Sequence, residues 1–184
     1  MNSAPRAPTA VSAKAPSTLQ RADIACRIPH QSSMCLLDRV TAWDPQQISC
    51  EADSHRSIDN PMRAHGRLGA SCGIEYAAQA MAVHGALIAE SLGEASSVDG
   101  SARRGGYLVS LRSVTLFVEQ LDNVVASLTV NAERVSGDAN TVLYSFAVLD
   151  GARILLSGRA IVVLDPSRLV TSQVTGPVVE HISA

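Results

Sequence analysis

Gly69-Ala70-Ser71-Cys72-Gly73-Ile74-Glu75-Tyr76-Ala77-Ala78-Gln79-Ala80-Met81-Ala82-Val83-His84-Gly85-Ala86-Leu87-Ile88-Ala89-Glu90-Ser91-Leu92 is the stretch on which the architecture turns. It is dominated by strong helix formers, chiefly alanine, and its apolar residues fall on nearly every face rather than on one stripe. The spacing predicts a long helix that must be enclosed. Upstream, Cys35 to Ala42 and Gln47 to Ser54 are short β-prone pieces divided by Trp43-Asp44-Pro45, with proline at a central turn position, so a hairpin is expected. Downstream lie four more β-prone segments, at 106–119, 124–135, 141–149 and 154–164. They are divided by Leu121-Asp122-Asn123, Ser136-Gly137-Asp138 and Asp150-Gly151, which are turn chemistry.

Alternation of Leu128, Val130 and Ala132 with Thr129, Asn131 and Glu133 marks a strand with one face toward a core and one toward water. Six strands with one long helix inserted after the second predict an α+β domain, an antiparallel sheet wrapped around a central helix. That domain is expected over 23–165. Residues 1–22, rich in Ala, Pro, Ser and Thr, read as a flexible leader, and 166–184 as a peripheral tail.

Composition narrows the function more by exclusion than by assertion. A length of 184 residues fits one domain, and 46% apolar residues with a net charge of -2 exclude a highly charged disordered chain and any general pull toward nucleic acid. Aromatic residues make up only 3%, too few for base-stacking platforms, and no Gly-rich phosphate loop is present. Cys26, Cys35, Cys50 and Cys72 lack the short paired spacing of zinc or redox sites, so no metal is expected. With neither a signal-like start nor a membrane-length apolar run, the expectation is a reduced, cytoplasmic protein without membrane or nucleic-acid partners. All basic residues but Lys14 are arginine, and Arg56, Arg63, Arg67, Arg103 and Arg104 fall in two loops where they could meet acidic or phosphate groups.

His55 ends a predicted strand and Glu75 opens the helix, a pairing suited to acid–base chemistry. His65, in the same loop as His55, is the rival base. His30 and His84 read as structural, His181 belongs to the tail, and Cys72 reads as a small buried thiol.

With Ile28-Pro29-His30, Leu36-Leu37-Asp38-Arg39-Val40, His55 and Glu75-Tyr76-Ala77-Ala78-Gln79-Ala80 in view, the chain resembles hotdog-fold 3-hydroxyacyl-carrier-protein dehydratases. Gly66-Arg67-Leu68 with the run from Cys72 to Gly85 is more closely similar to the dehydratase-type proteins of bacterial aryl-polyene clusters. The resemblance implies reversible loss of water from a 3-hydroxyacyl thioester, with His55 as base and Glu75 as acid. It implies no separate cofactor, the acyl group riding on the phosphopantetheine of an acyl carrier protein that Arg63, Arg67, Arg103 and Arg104 would meet. It also implies a homodimer, or a heterodimer with a second hotdog subunit, in which the sheets join and the active pair is shared.

The acid is expected to be enclosed by Ile74, Ala77 and Ala78. Backbone N–H groups around Gly69, Ala70 and Cys72 are expected to polarise the thioester oxygen, with Gln79, one turn after Glu75, orienting the carboxyl group or bonding elsewhere. The sequence departs from the common members where Arg56-Ser57-Ile58-Asp59 follows the histidine in place of Phe-Pro-Gly. Two other readings stay open: a thioesterase of the same fold in which Glu75 activates water, and a non-catalytic subunit that stabilises another hotdog chain.

Overall fold

The computed structural model describes residues 18–93, 106–138 and 140–164. Strand β1 (Leu19–Gln20) and helix α1 (Arg21–Ala25) precede the hairpin of β2 (Arg39–Trp43) and β3 (Gln47–Ala52). Helix α2 (Gly73–Ser91) follows, and then β4 (Tyr107–Leu116), β5 (Leu128–Gly137), β6 (Thr141–Asp150) and β7 (Arg153–Val163). One antiparallel sheet runs in the order β1-β2-β3-β5-β6-β7-β4, and α2 packs across β3, β5 and β6.

Local chemistry explains the turns. Asp44 Oδ1 accepts the N–H groups of Gln46 (2.7 Å) and Gln47 (3.0 Å), closing the first hairpin, and Asp138 Oδ1 does the same for Asn140 and Thr141 (both 2.7 Å). Helix α2 ends where Gly93 adopts φ 73°, a left-handed conformation that glycine takes without side-chain strain. The core lies between α2 and the concave face of the sheet. Along β6, Val142, Tyr144, Phe146 and Val148 point inward, to meet Tyr76, Ala77, Ala80, Met81, Val83 and Leu87 of the helix. Each large side chain so buried contributes about 1.5–3 kcal/mol, and the alanines bring helix and sheet close.

Gly73 shows how close. A Cβ there would stand 2.2 Å from Leu156 Cδ2, and Leu156 is itself fully buried. Gly73→Ala should therefore force the helix start away from β7 and destabilise the chain by roughly 1–3 kcal/mol. Thermal unfolding reads this as a lower Tm, and a wild-type Tm would show that Leu156 relaxes freely.

Three expectations need correction. Leu19–Gln20 is a strand and α1 begins at Arg21, so the end of the expected leader belongs to the fold, and there are seven strands among the described residues rather than six. Residues 35–38 are not in a strand, because Asp38 is drawn into side-chain bonds with Arg21 (2.9 Å) and the Asp53 N–H (2.6 Å). The helix is not enclosed by its own sheet: Ile74, Glu75, Ala78, Ala82, Gly85, Ala86 and Ala89 are only half-buried, because one sheet covers one side.

Edge strand β4 is the other uncovered surface. Among the described residues it pairs only with β7, carries two bulges, and leaves Tyr107 59% and Val109 52% exposed, with Phe117 just beyond at 55%. No described helix is long and apolar enough to cross a membrane.

Candidate active site

Strand β3 delivers His55. After Ala52 the chain leaves the sheet in a 3-10 turn, Ser54–Arg56, that folds the imidazole completely inside. Its Nε2 lies 3.1 Å from the Val124 carbonyl. A carbonyl only accepts, so Nε2 carries the hydrogen of the neutral ring and Nδ1 bears the lone pair. That Nδ1 is buried and has no hydrogen-bond partner. Burial, foremost, holds the imidazole below its ordinary value, with the Arg56 charge helping and the Val124 carbonyl, Asp53 and the Ala52 backbone opposing. The ring is thus held toward its neutral form, with its hydrogen directed at Val124.

The turn is braced from the loop that follows. Arg63 donates to the carbonyls of Ser57 (2.7 Å), Gly66 (2.9 Å) and His55 (3.1 Å), and pairs with Asp122 at 3.2 Å. Arg63, expected at the carrier surface, thus has its fork occupied by protein acceptors in this chain.

Helix α2 delivers Glu75 in its first turn. Gln79 Nε2 donates to Glu75 Oε1 at 3.0 Å, and His30 Nε2 stands 3.1 Å from that same oxygen. The second oxygen, Oε2, has no hydrogen bond among the described residues. Gln79 also donates to Met34 O (2.8 Å) and accepts from the Leu36 N–H (2.9 Å), so its buried amide is committed to protein groups. Its nitrogen meets both the carboxyl and Met34, so the two uses expected of Gln79, orienting Glu75 and bonding elsewhere, occur together. The carboxyl is not enclosed either: its side chain is 29% exposed, because Ala77 faces the sheet while Ile74 and Ala78 line the half-open face.

Within one chain the two groups do not touch; His55 bonds to Val124, and Glu75 meets His30 and Gln79. Their sequence neighbours do meet. Tyr76 is fully buried, its hydroxyl 2.9 Å from Ser54 Oγ and accepting from Asn60 Nδ2 at 3.0 Å, while Ser54 Oγ donates to Leu36 O at 2.7 Å. This network ties the His55 turn to the Glu75 helix.

The N–H groups expected to polarise a thioester are partly occupied. The 3-10 turn Ala70–Cys72 commits the Cys72 N–H to Gly69 O (3.0 Å), and the Ala70 N–H bonds Glu119 O (2.9 Å). An open cleft of about 460 Å³ does lie at this helix start, lined by residues including Arg67, Gly69, Ser71, Cys72 and Glu119. Burial raises the Cys72 thiol above its ordinary value, which disfavours a thiolate. Arg67 is exposed, with no side-chain partner among the described residues, whereas Arg103 and Arg104 lie outside them. No group of three potential metal ligands occurs among the described residues.

The remaining histidines divide clearly. His65 sits exposed on a tight turn at φ 51°. His84 is buried between the Asp44 carbonyl (2.7 Å) and the Tyr144 hydroxyl (3.1 Å), as a structural histidine should be. His30, expected to be structural, stands instead against the Glu75 carboxyl. Its place in the Ile28-Pro29-His30 motif was the only sequence signal available.

Both buried histidines carry a pH signature. Burial is the first cause holding His84 down, as it is for His55. Unfolded imidazoles take up protons near 6.5 and the folded ones only at lower pH, so this stabilisation is full above 6.5 and is lost as pH falls through the window beneath it. The slope reaches at most about 1.4 kcal/mol per pH unit per histidine. Tm should fall between pH 7.5 and 5.5, and less steeply in His84→Gln; a flat profile would contradict the burial of both rings.

The sequence profile of the ApeP-like family, described as ApeP dehydratase, matches residues 22–173. The chain belongs to the ApeP-like dehydratases. This ApeP-like chain is similar in structure to the dehydratase heterocomplex ApeI:P from Xenorhabdus doucetiae, with a TM-score of 0.67, 20% identity, and coverage of 83% of this chain and 97% of that one. It is also similar to zebrafish thioesterase superfamily member 2, with a TM-score of 0.51, 11% identity, and coverage of 79% and 95%. An uncharacterised protein from Pyrococcus horikoshii matches with a TM-score of 0.50, 12% identity, and coverage of 76% and 91%. These likenesses establish the hotdog fold. No curated protein matches the ApeP-like chain.

Proposed function

We propose that the chain eliminates water from a 3-hydroxyacyl thioester carried on the pantetheine of an acyl carrier protein, with His55 as base and Glu75 as acid. The observation that carries this reading is the buried, neutral imidazole whose Nδ1 alone is left bare. Nδ1 takes the proton next to the thioester carbonyl, and the C–H electrons form an enolate. As they return to make the double bond, the hydroxyl leaves with its C–O electrons and takes the proton of Glu75, departing as water. The imidazolium and carboxylate left behind are reset by moving one proton from the first to the second. Each positioned proton transfer contributes typically ~10²–10⁴-fold.

A second hotdog subunit completes the site. β4 and the half-covered face of α2 are the surfaces it would join, and the similar structure from Xenorhabdus doucetiae is a heterocomplex. Arg67 at the cleft, with Arg103 and Arg104, would meet the acidic carrier and its phosphate.

Product analysis on a 3-hydroxyacyl carrier thioester, with and without a second hotdog dehydratase subunit, tests the reading. The expected product is the trans-2-enoyl thioester, abolished by His55→Ala. Free acid would instead assign hydrolysis, and undiminished turnover with His55→Ala and Glu75→Ala in this chain would make it a non-catalytic support.

A further inference from the structure

We propose that His30 is a positioning residue for Glu75: its Nε2 and the Gln79 amide both stand against Oε1, which reserves Oε2 as the oxygen that carries the proton to the leaving hydroxyl. The inference rests on the acid role proposed above and adds a residue to it.

The ring's orientation is fixed by its surroundings: Nδ1 is buried with no hydrogen-bond partner, and the other nitrogen is the one turned to Glu75. Nε2 is the nitrogen 3.1 Å from Glu75 Oε1. Gln79 Nε2 reaches Oε1 from the other side at 3.0 Å, and an amide nitrogen can only donate. With Oε1 so occupied by protein groups, Oε2 is the oxygen left to address a substrate.

The loop that presents His30 is held firmly enough to matter. Ile28 is fully buried, and Gln31 Nε2 caps the loop by donating to Ala25 O (2.9 Å) and Ile28 O (3.3 Å). Arg27 reaches the far end of α2, its Nη2 donating to Glu90 Oε2 at 2.9 Å, and its Nη1 bonds Asp23 O at 2.9 Å. Gln79 fastens the segment after His30 to the same helix through Met34 and Leu36. Loop and helix therefore move together, and the imidazole is kept at the carboxyl.

The consequence is catalytic alignment without substrate contact. Misplacement of a reacting group by about 1 Å can cost on the order of 10²-fold. In the assembly that dehydrates, His30→Ala should lower kcat by roughly 10–100-fold while KM stays near wild type. His30→Gln, whose amide nitrogen lies the same number of bonds from the backbone, should recover most of that loss. His30→Asn, too short to reach, should resemble His30→Ala and serves in its place if the alanine variant fails to fold.

A wild-type kcat in His30→Ala or His30→Asn overturns the proposal, and so does a Gln variant as slow as Asn. Glu75→Gln in the same series separates the two levels of the argument. If it is inactive while His30 variants are unimpaired, only the role of His30 falls; if it turns over normally, the acid assignment itself is wrong.

Discussion

Glu75→Gln should lose about 10²–10⁴-fold in kcat for dehydration, with little change in Tm. Glutamine preserves the shape of the side chain and keeps an oxygen that His30 and Gln79 can address, so the contacts at 3.1 and 3.0 Å survive. What it lacks is an acidic hydrogen at the second position. The variant thus separates chemistry from scaffold: turnover falls, substrate affinity and folding stay. If two copies pair so that each site takes one group from each chain, mixing Glu75→Gln with His55→Ala subunits restores one intact site per mixed pair. A site completed within one chain would regain nothing, and a Glu75→Gln chain with normal turnover would end its claim to be the acid.

Arg63→Ala is expected to be the most damaging substitution outside the reacting pair. It leaves four backbone carbonyls without their charged donor and strands Asp122, whose side chain is only 14% exposed, beside a vacated space. Removing one member of a buried ion pair costs roughly 3–5 kcal/mol, and the residual exposure here brings the expected loss to about 2–4 kcal/mol. For a chain of this length that corresponds to a Tm drop of about 4–16 °C. Because Arg63 bonds the His55 carbonyl, kcat should fall as well. Arg67→Ala makes the contrast: Tm unchanged, and a higher KM for the carrier-bound thioester. Equal, purely affinity-type effects of the two substitutions would return Arg63 to the surface role that its charge alone suggests.

Those arginines show where sequence reading reaches and where it stops. Turns and alternation are local, so Asp44-Pro45, Asp138 and the inward Leu128, Val130 and Ala132 could be read directly and found in place. The long helix was legible from composition, but how much of it one sheet could cover was not, because that depends on which strands neighbour it. The position of β4 at the far edge, beside β7 rather than β3, is a non-local fact. So is the approach of His30 to Glu75, which needs the loop after α1 to cross the helix. An arginine's charge is visible in sequence, but its acceptors are not. The same holds for the N–H groups of Ala70 and Cys72, which look available until the turn and Glu119 claim them.

The bare border along β4 has a bearing on how the protein lives. Tyr107, Val109 and Phe117 in water, beside backbone groups that no described strand pairs, invite any passing strand, and the two bulges only partly discourage that. If a second subunit joins there as proposed, a newly made copy is in a race between that mate and clumping. Its durability becomes a matter of dose: dilute, it should melt earlier and precipitate more readily, and supplying the mate during synthesis should rescue yield before it alters turnover.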